Sequence, residues 1–342
     1  MHCRAGTKSR PGQLVGDQPI NIQIYKQKYT NLLKERKEEL ELSLLKIRIG
    51  SMKSSFITLI GRPSAGKSTL MNELCGHKIS IVAPSPQTTR NRVRGILTEE
   101  RGQLVFIDTP GYHLSDKKLN LQLKTVSVSS LDDADLILYV IDSSRISGEE
   151  EENLSELLKG YQKKLIIAIN KIDLIDGDND KLYLNTEERF PQAEIIPVSA
   201  LKAKGIEDLK TTLFDNSAEG EKMYPDEFFT DQDPEFRAAE IIREKAINRV
   251  KEELPHAIYV EISDIEEAED GKVLWIRAFL IVERESQKGI VVGKGGAGIK
   301  AIRVAAQKEL NTIFPYRVML DLRVKANSKW RKNDQLLKKL IY

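Results

Sequence analysis

The sequence is poor in the residues that staple small or secreted folds. Only two cysteines occur in 342 residues, Cys3 and Cys75. They lie far apart and lack metal-site spacing, which excludes a disulfide framework and predicts reduced thiols in an intracellular setting. The four histidines, His2, His77, His113 and His256, form no ligand pair, so no structural metal is expected. No run approaches the roughly 18 uninterrupted apolar residues of a membrane span. Residues 1–51 carry neither the apolar core nor the small-residue cleavage site of a secretory signal. Charge of one sign is missing as well: 53 Lys and Arg against 51 Asp and Glu leave +2, and whole-chain charge names no partner.

The charge that is present is unevenly placed. From Gln287 to Tyr342 there are thirteen Lys or Arg against three acids, whereas Asp215 to Glu235 holds eight acids against one base. A basic terminal block behind an acidic connector fits either a polyanion partner at that end or a solvated basic surface. The length accommodates two ordinary domains plus an extension.

Residues 1–19 are polar and rich in Gly and Pro, which predicts disorder, and residues 24–49 read as one charged helix. Residues 1–51 are therefore an N-terminal extension or a product of start-site assignment with Met52 as the true beginning. From Phe56 the pattern changes to short apolar runs at 56–61, 103–111, 136–142, 164–170 and 194–200, separated by helix-length polar segments. Such runs predict a mostly parallel sheet buried on both faces, over a domain at 52–218. An acidic linker is expected at 219–235. Residues 236–342 then read as helix, two strands (257–262, 273–283), helix–loop–helix around 293–296, a strand near 317–325 and a basic tail.

Gly61, Arg62, Pro63, Ser64, Ala65, Gly66, Lys67 and Ser68 form a complete GxxxxGK[ST], followed by Thr69, between a strand and a helix. Glycines let backbone N–H groups converge on phosphate oxygens, and the helix start adds partial positive charge. Lys67 is placed to reach the β- and γ-phosphates and the Ser68 hydroxyl to bind Mg²⁺. Asp108, Thr109, Pro110 and Gly111 end the next buried strand, where a carboxylate can hold Mg²⁺ through water and the Gly111 N–H can sense the γ-phosphate. Asn170, Lys171, Ile172 and Asp173 follow the strand at 164–170. An Asp carboxylate only accepts, so it pairs with the two adjacent N–H donors of guanine and is left unmatched by adenine. Ser199 and Ala200 suit a turn that presents a backbone N–H to the guanine oxygen. Within Pro86–Arg90, Thr89 is the expected Mg²⁺-closing residue, with Thr88 as the alternative. GTP over ATP follows from Asp173; a small-molecule kinase has no use for residues 170–173.

Gly293, Lys294, Gly295 and Gly296 lie between an apolar segment and a helix start, an arrangement that lets a nucleic-acid backbone approach closely. Lys300, Arg303, Arg323, Lys325, Lys329, Arg331 and Lys332 are candidates for phosphate contacts. Trp330 stacks on a base or anchors the tail in the core.

The strings PQTTRNR, DTPGYH, NKID and VSAL, with the YPDEFFTD connector and the GKGG module, resemble the bacterial Era-type GTPases over about residues 53–342. The resemblance implies an α/β P-loop G domain with a mixed, mostly parallel six-stranded sheet and helices on both faces. It implies that an α+β type II KH domain follows, clamping single-stranded RNA. It further implies a slow, Mg²⁺-dependent GTPase switch acting on GTP and GDP. The implied partner is small-subunit (16S) ribosomal RNA near its 3′ end, with a role in assembling that subunit. A monomer is expected, cytoplasmic, with loose contact to the inner membrane. Two positions depart from the Ras-like or family pattern. Tyr112 stands where Ras-like enzymes place a water-orienting Gln, so Lys67, Thr89 and Gly111 are the expected positioning residues and no catalytic base is assigned. Ser64 stands where the family often has a potassium-holding Asn, which puts potassium stimulation in doubt.

Overall fold

The computed structural model describes residues 52–84, 88–112, 118–175, 180–252, 254–269, 271–328, 330–333 and 335–337, and upstream of these only Lys34 and Lys37. Apart from Lys34 and Lys37, the expected extension over residues 1–51 lies outside the described residues, as do Pro86, Lys329 and the end of the basic tail. Nothing is described of the side chain of Lys332.

Strands β1 (Lys53–Ile60), β2 (Val93–Glu99), β3 (Gly102–Asp108), β4 (Leu136–Asp142), β5 (Leu165–Asn170) and β6 (Glu194–Pro197) form one sheet in the order β2-β3-β1-β4-β5-β6. All neighbours are parallel except β2 and β3. β3, β4 and β5 are buried along their whole length, as near-continuous apolar runs demand when helices cover both faces. Helices α1 (Lys67–Cys75) and α5 (Ile206–Asp215) supply Leu70, Met71, Leu209 and Leu213 to one face. Helices α2 (Lys118–Asp132), α3 (Glu149–Leu158) and α4 (Asp180–Arg189), through residues such as Leu131, Leu154 and Leu158, cover the other. The sequence runs reveal five of the six strands. β2 is the antiparallel edge, and Arg94 and Gly95 interrupt its apolar pattern.

The C-terminal part begins with α6 (Pro234–Ile247), two residues earlier than its apolar pattern indicates. Asp233 is the N-cap, accepting from the Glu235 and Phe236 amides, and Pro234 sits in the first turn, where its missing N–H costs nothing. Next come β7 (Tyr259–Glu267), β8 (Val273–Val282), α7 (Glu285–Val292), α8 (Ala297–Ile313) and β9 (Arg317–Ala326). β8 lies in the middle, antiparallel to β7 and parallel to β9. Alternation along β8 sends Leu274, Ile276, Ala278 and Leu280 into a core shared with Ile302, Ala306 and Leu310 of α8.

The acidic connector is stitched to the sheet edge. Gln103, fully buried, accepts from the Met223 and Tyr224 amides and donates to the Tyr224 carbonyl. The Phe229 carbonyl accepts from Ile96 of β2, and Asp231 pairs with Arg94 at 2.7 Å.

Candidate nucleotide and RNA sites

Each motif sits where a strand ends. The loop after β1 turns through Ser64, at φ 62°, and Gly66, at φ 97°, before α1 begins. A Cβ at Gly66 would lie 2.3 Å from the Asn170 amide nitrogen, so the glycine is needed for both conformation and space. Lys67 is buried and its Nζ donates to the carbonyls of Gly61 and Arg62, 3.0 Å each. Burial lowers the Lys67 pKa to about 8 against the opposing pull of Asp108 and Glu151.

Ser68, Thr89 and Asp108 converge. Asp108 Oδ2 accepts from Ser68 Oγ at 2.6 Å and from Thr89 Oγ1 at 3.2 Å, and the two hydroxyls are 2.9 Å apart. Thr89 thus brings its hydroxyl to the cluster, while Thr88 gives its carbonyl to Arg243 of α6. Asp108 is fully buried, and its other oxygen has no hydrogen-bond partner. Burial raises its pKa, more than Lys67 and the hydroxyls lower it. A dehydrated acid with a spare oxygen beside two hydroxyls is a donor set that suits Mg²⁺ with its water shell. Beside it, Thr109 Oγ1 donates to Leu59 O (2.7 Å) and Pro110 O accepts from Ser127. A Cβ on Gly111 would meet Pro63 backbone at 2.7 Å. Tyr112 is buried; its N–H donates to Gly61 O and its ring packs in the core below Lys124.

At the far end, Asn170 braces two loops: its Nδ2 donates to Ala65 O (2.9 Å) and its Oδ1 accepts from the Ala200 amide (3.0 Å). The Ile172 amide donates to Val198 O. Asp173 Oδ1 accepts from Ser199 Oγ at 2.5 Å. Lys171 Nζ spans Ser64 O at 2.7 Å and Asp142 Oδ2 at 2.6 Å. Asp142 escaped sequence reading. It ends β4, in register with Asn170 on β5, and an acid closing an apolar run is the signal that marks Asp108 as well. Burial pushes its pKa up, but hydrogen bonds from Lys171 and Ser144 outweigh that and hold it below the ordinary value. Pro63, Ser64, Gly66 to Thr69, Thr88, Thr89, Gly111 and Lys171 line a cleft of about 450 Å³, together with Asn248 just past α6.

In the C-terminal unit, Gly293 (φ 72°) ends α7, Gly295 (φ 59°) turns the loop and Gly296 (φ 79°) opens α8. Lys294, Gly295 and Lys300 are exposed. Other candidates already have partners: Arg323 pairs with Asp321, Arg331 with Glu283, and Lys325 lies over the Phe279 ring. Arg303 is half-buried. Trp330 is 1% exposed and donates from Nε1 to Ala257 O, so it is a core anchor and not a stacking platform.

A family model described as a 50S ribosome-binding GTPase matches residues 56–171, and a KH domain model matches residues 253–331. GTPase Era of Treponema denticola is 50% identical over 294 residues, covering 85% of this chain and 100% of the relative. This chain belongs to the Era family of GTPases. GTPase Era of Borreliella burgdorferi is 47% identical over 291 residues, again 85% of this chain and 100% of the relative. Among solved structures, a variant of Aquifex aeolicus Era bound to GDP·AlF4⁻ superposes with a TM-score of 0.81 at 35% identity, over 84% of this chain and 98% of that one. A second, Era in complex with MgGDPNP and nucleotides 1506–1542 of 16S ribosomal RNA, gives 0.80 at the same identity and coverage. The Era membership accords with the P-loop and KH folds built above.

Proposed function

We propose that this chain is a GTP-driven switch that hydrolyses GTP slowly and binds the 3′ end of small-subunit ribosomal RNA through its KH domain, assisting assembly of that subunit. In this reading residues 61–69 wrap the phosphates and Asp173 selects guanine. Ser68, Thr89 and Asp108 hold Mg²⁺, which when bound neutralises developing phosphate charge. Lys67 and Gly111 position the γ-phosphate. The packed Tyr112 ring supplies no water-orienting amide, so turnover rests on positioning and is slow. Gly293 to Gly296 clamp the RNA backbone. Among the described residues no helix is long and apolar enough to cross a membrane.

The observation that carries the switch is a run of three residues. Thr89 points into the Mg²⁺ cluster, while its neighbours are tied to the KH domain on both sides. Thr88 O accepts from Arg243, and the buried Arg90 guanidinium donates to Ile258 O (2.9 Å) and His256 O (3.3 Å) below Trp330. Trp330 in turn packs against Leu123 of α2, the helix that follows the Gly111 loop. Movement of Thr89 into or out of the cluster is therefore passed to the contacts that seat the RNA module. The test is the affinity of an RNA matching the 3′ end of 16S ribosomal RNA, measured with GDP, with MgGDPNP and without nucleotide. A nucleotide-dependent affinity is expected; equal binding in all three states removes the switch, and absence of binding removes the RNA assignment.

A further inference from the structure

Four glutamates, Glu149 to Glu152, open α3, where the helix dipole favours acids. Only Glu151 turns inward, and it is 3% exposed. A carboxylate taken out of water is costly unless it is paired and hydrogen-bonded. Glu151 has both forms of relief: the Tyr139 hydroxyl of β4 donates to one oxygen, and the Arg62 guanidinium pairs with the other. Arg62 also donates to Ile146 O at 3.4 Å, between β4 and α3. Its side chain is therefore held from below the phosphate loop, away from the cleft.

The main chain of Arg62 faces the other way. Its carbonyl accepts from Lys67 Nζ at 3.0 Å and from the Ala65 amide at 3.3 Å. One residue thus links a buried acid on α3 to the ammonium expected to meet the phosphates. The acid's charge is felt at Lys67 as well, where it opposes the effect of burial.

We infer that Glu151, through Arg62, is a positioning residue of the nucleotide site: it fixes the Arg62 carbonyl and hence the place of Lys67. The inference rests on the reading that residues 61–69 bind the phosphates of GTP. Lys67 would meet phosphates in GDP and GTP alike and also positions the γ-phosphate, so loss of the clamp weakens both nucleotides and slows the chemical step as well.

The experiment uses the full chain, a fluorescent GDP for affinity, GTP hydrolysis for kcat and KM, and thermal melting. In Glu151→Gln, GDP Kd and GTP KM are expected to rise about tenfold and kcat to fall with them, at an unchanged melting temperature. The paired change Arg62→Met with Glu151→Leu replaces the buried ion pair by apolar groups, a swap that is often neutral for stability. It is expected to melt like the wild type yet bind GDP as weakly as Glu151→Gln. Wild-type affinity in either folded variant overturns the inference, because the pair would then serve packing alone. Should Glu151→Gln fail to fold, the paired variant decides. A wild-type chain that binds no guanine nucleotide would instead remove the phosphate-site reading itself.

Discussion

At the scale of single residues, base selection rests on one carboxylate. Asp173 Oδ1 accepts from Ser199 and keeps a second lone pair, so both oxygens can meet the two guanine N–H donors, with the Asn170 brace fixing the loops around them. Asp173→Asn exchanges an acceptor for a donor and is expected to shift preference from GTP to XTP by at least about a hundredfold. Competition binding with the two nucleotides measures this, and retention of GTP preference would contradict the assignment. Ser64 poses a second question of reach. Its carbonyl is already used by Lys171, and its short hydroxyl lacks the amide oxygen that holds potassium in related GTPases. Hydrolysis rates in matched potassium and sodium salts are expected to agree within about threefold, and a difference beyond about tenfold would place a cation there.

At the scale of elements, the GxxG turn can be altered without disturbing what surrounds it. A Cβ built on Gly295 meets no atom within 4 Å, and the residue is exposed. Only its left-handed backbone resists substitution, a strain that Asp tolerates better than most residues. Gly295→Asp should therefore fold, bind GDP normally and lose RNA affinity at least about tenfold, because its charge and bulk stand where a phosphate must approach. Filter binding or anisotropy across a salt series reads both the loss and the slope, which reports the phosphates neutralised. Neighbouring Gly298 is different: a Cβ there would lie 2.4 Å from Val291 O, so its substitution tests packing between α7 and α8, not RNA contact.

At the scale of the whole molecule, the loop after α1 is anchored to the KH domain by charge. Glu244 of α6 accepts from Lys78 Nζ (2.6 Å), the Val82 amide (2.8 Å) and Lys245, and Lys78 and Lys245 both reach Glu309 of α8. Burial raises the Glu244 pKa, but these hydrogen bonds outweigh it and hold it below its ordinary value of 4.5. A depressed carboxylate contributes stability that is complete above the unfolded pKa and disappears as pH falls through the folded one. Glu244→Gln is thus expected to cost about 2 kcal/mol near pH 7. The gap from wild type should close below pH 4.5. Denaturant melts at several pH values would show this, and a gap independent of pH would mean that Glu244 acts by packing.

Local chemistry was legible in the sequence because it is written contiguously. The phosphate loop, the guanine-reading quartet and the GxxG turn need particular residues at fixed short spacings, and the buried strands announce themselves as apolar runs. The edge strand Val93–Glu99 escaped because Arg94 and Gly95 interrupt its apolar pattern. Tertiary structure alone decided everything that depends on distant partners. Thr89 was separated from Thr88 by its contact with Asp108, and Trp330 was assigned to the core by its bond to Ala257. Arg90 was joined to Ile258 across 168 positions of chain. Asp142 and Glu151 gained their roles only when folding set one beside Lys171 and the other beside Arg62. An acid in a helix or at a strand end looks the same in a sequence whether it faces water or a cation; burial, which only packing sets, makes the difference.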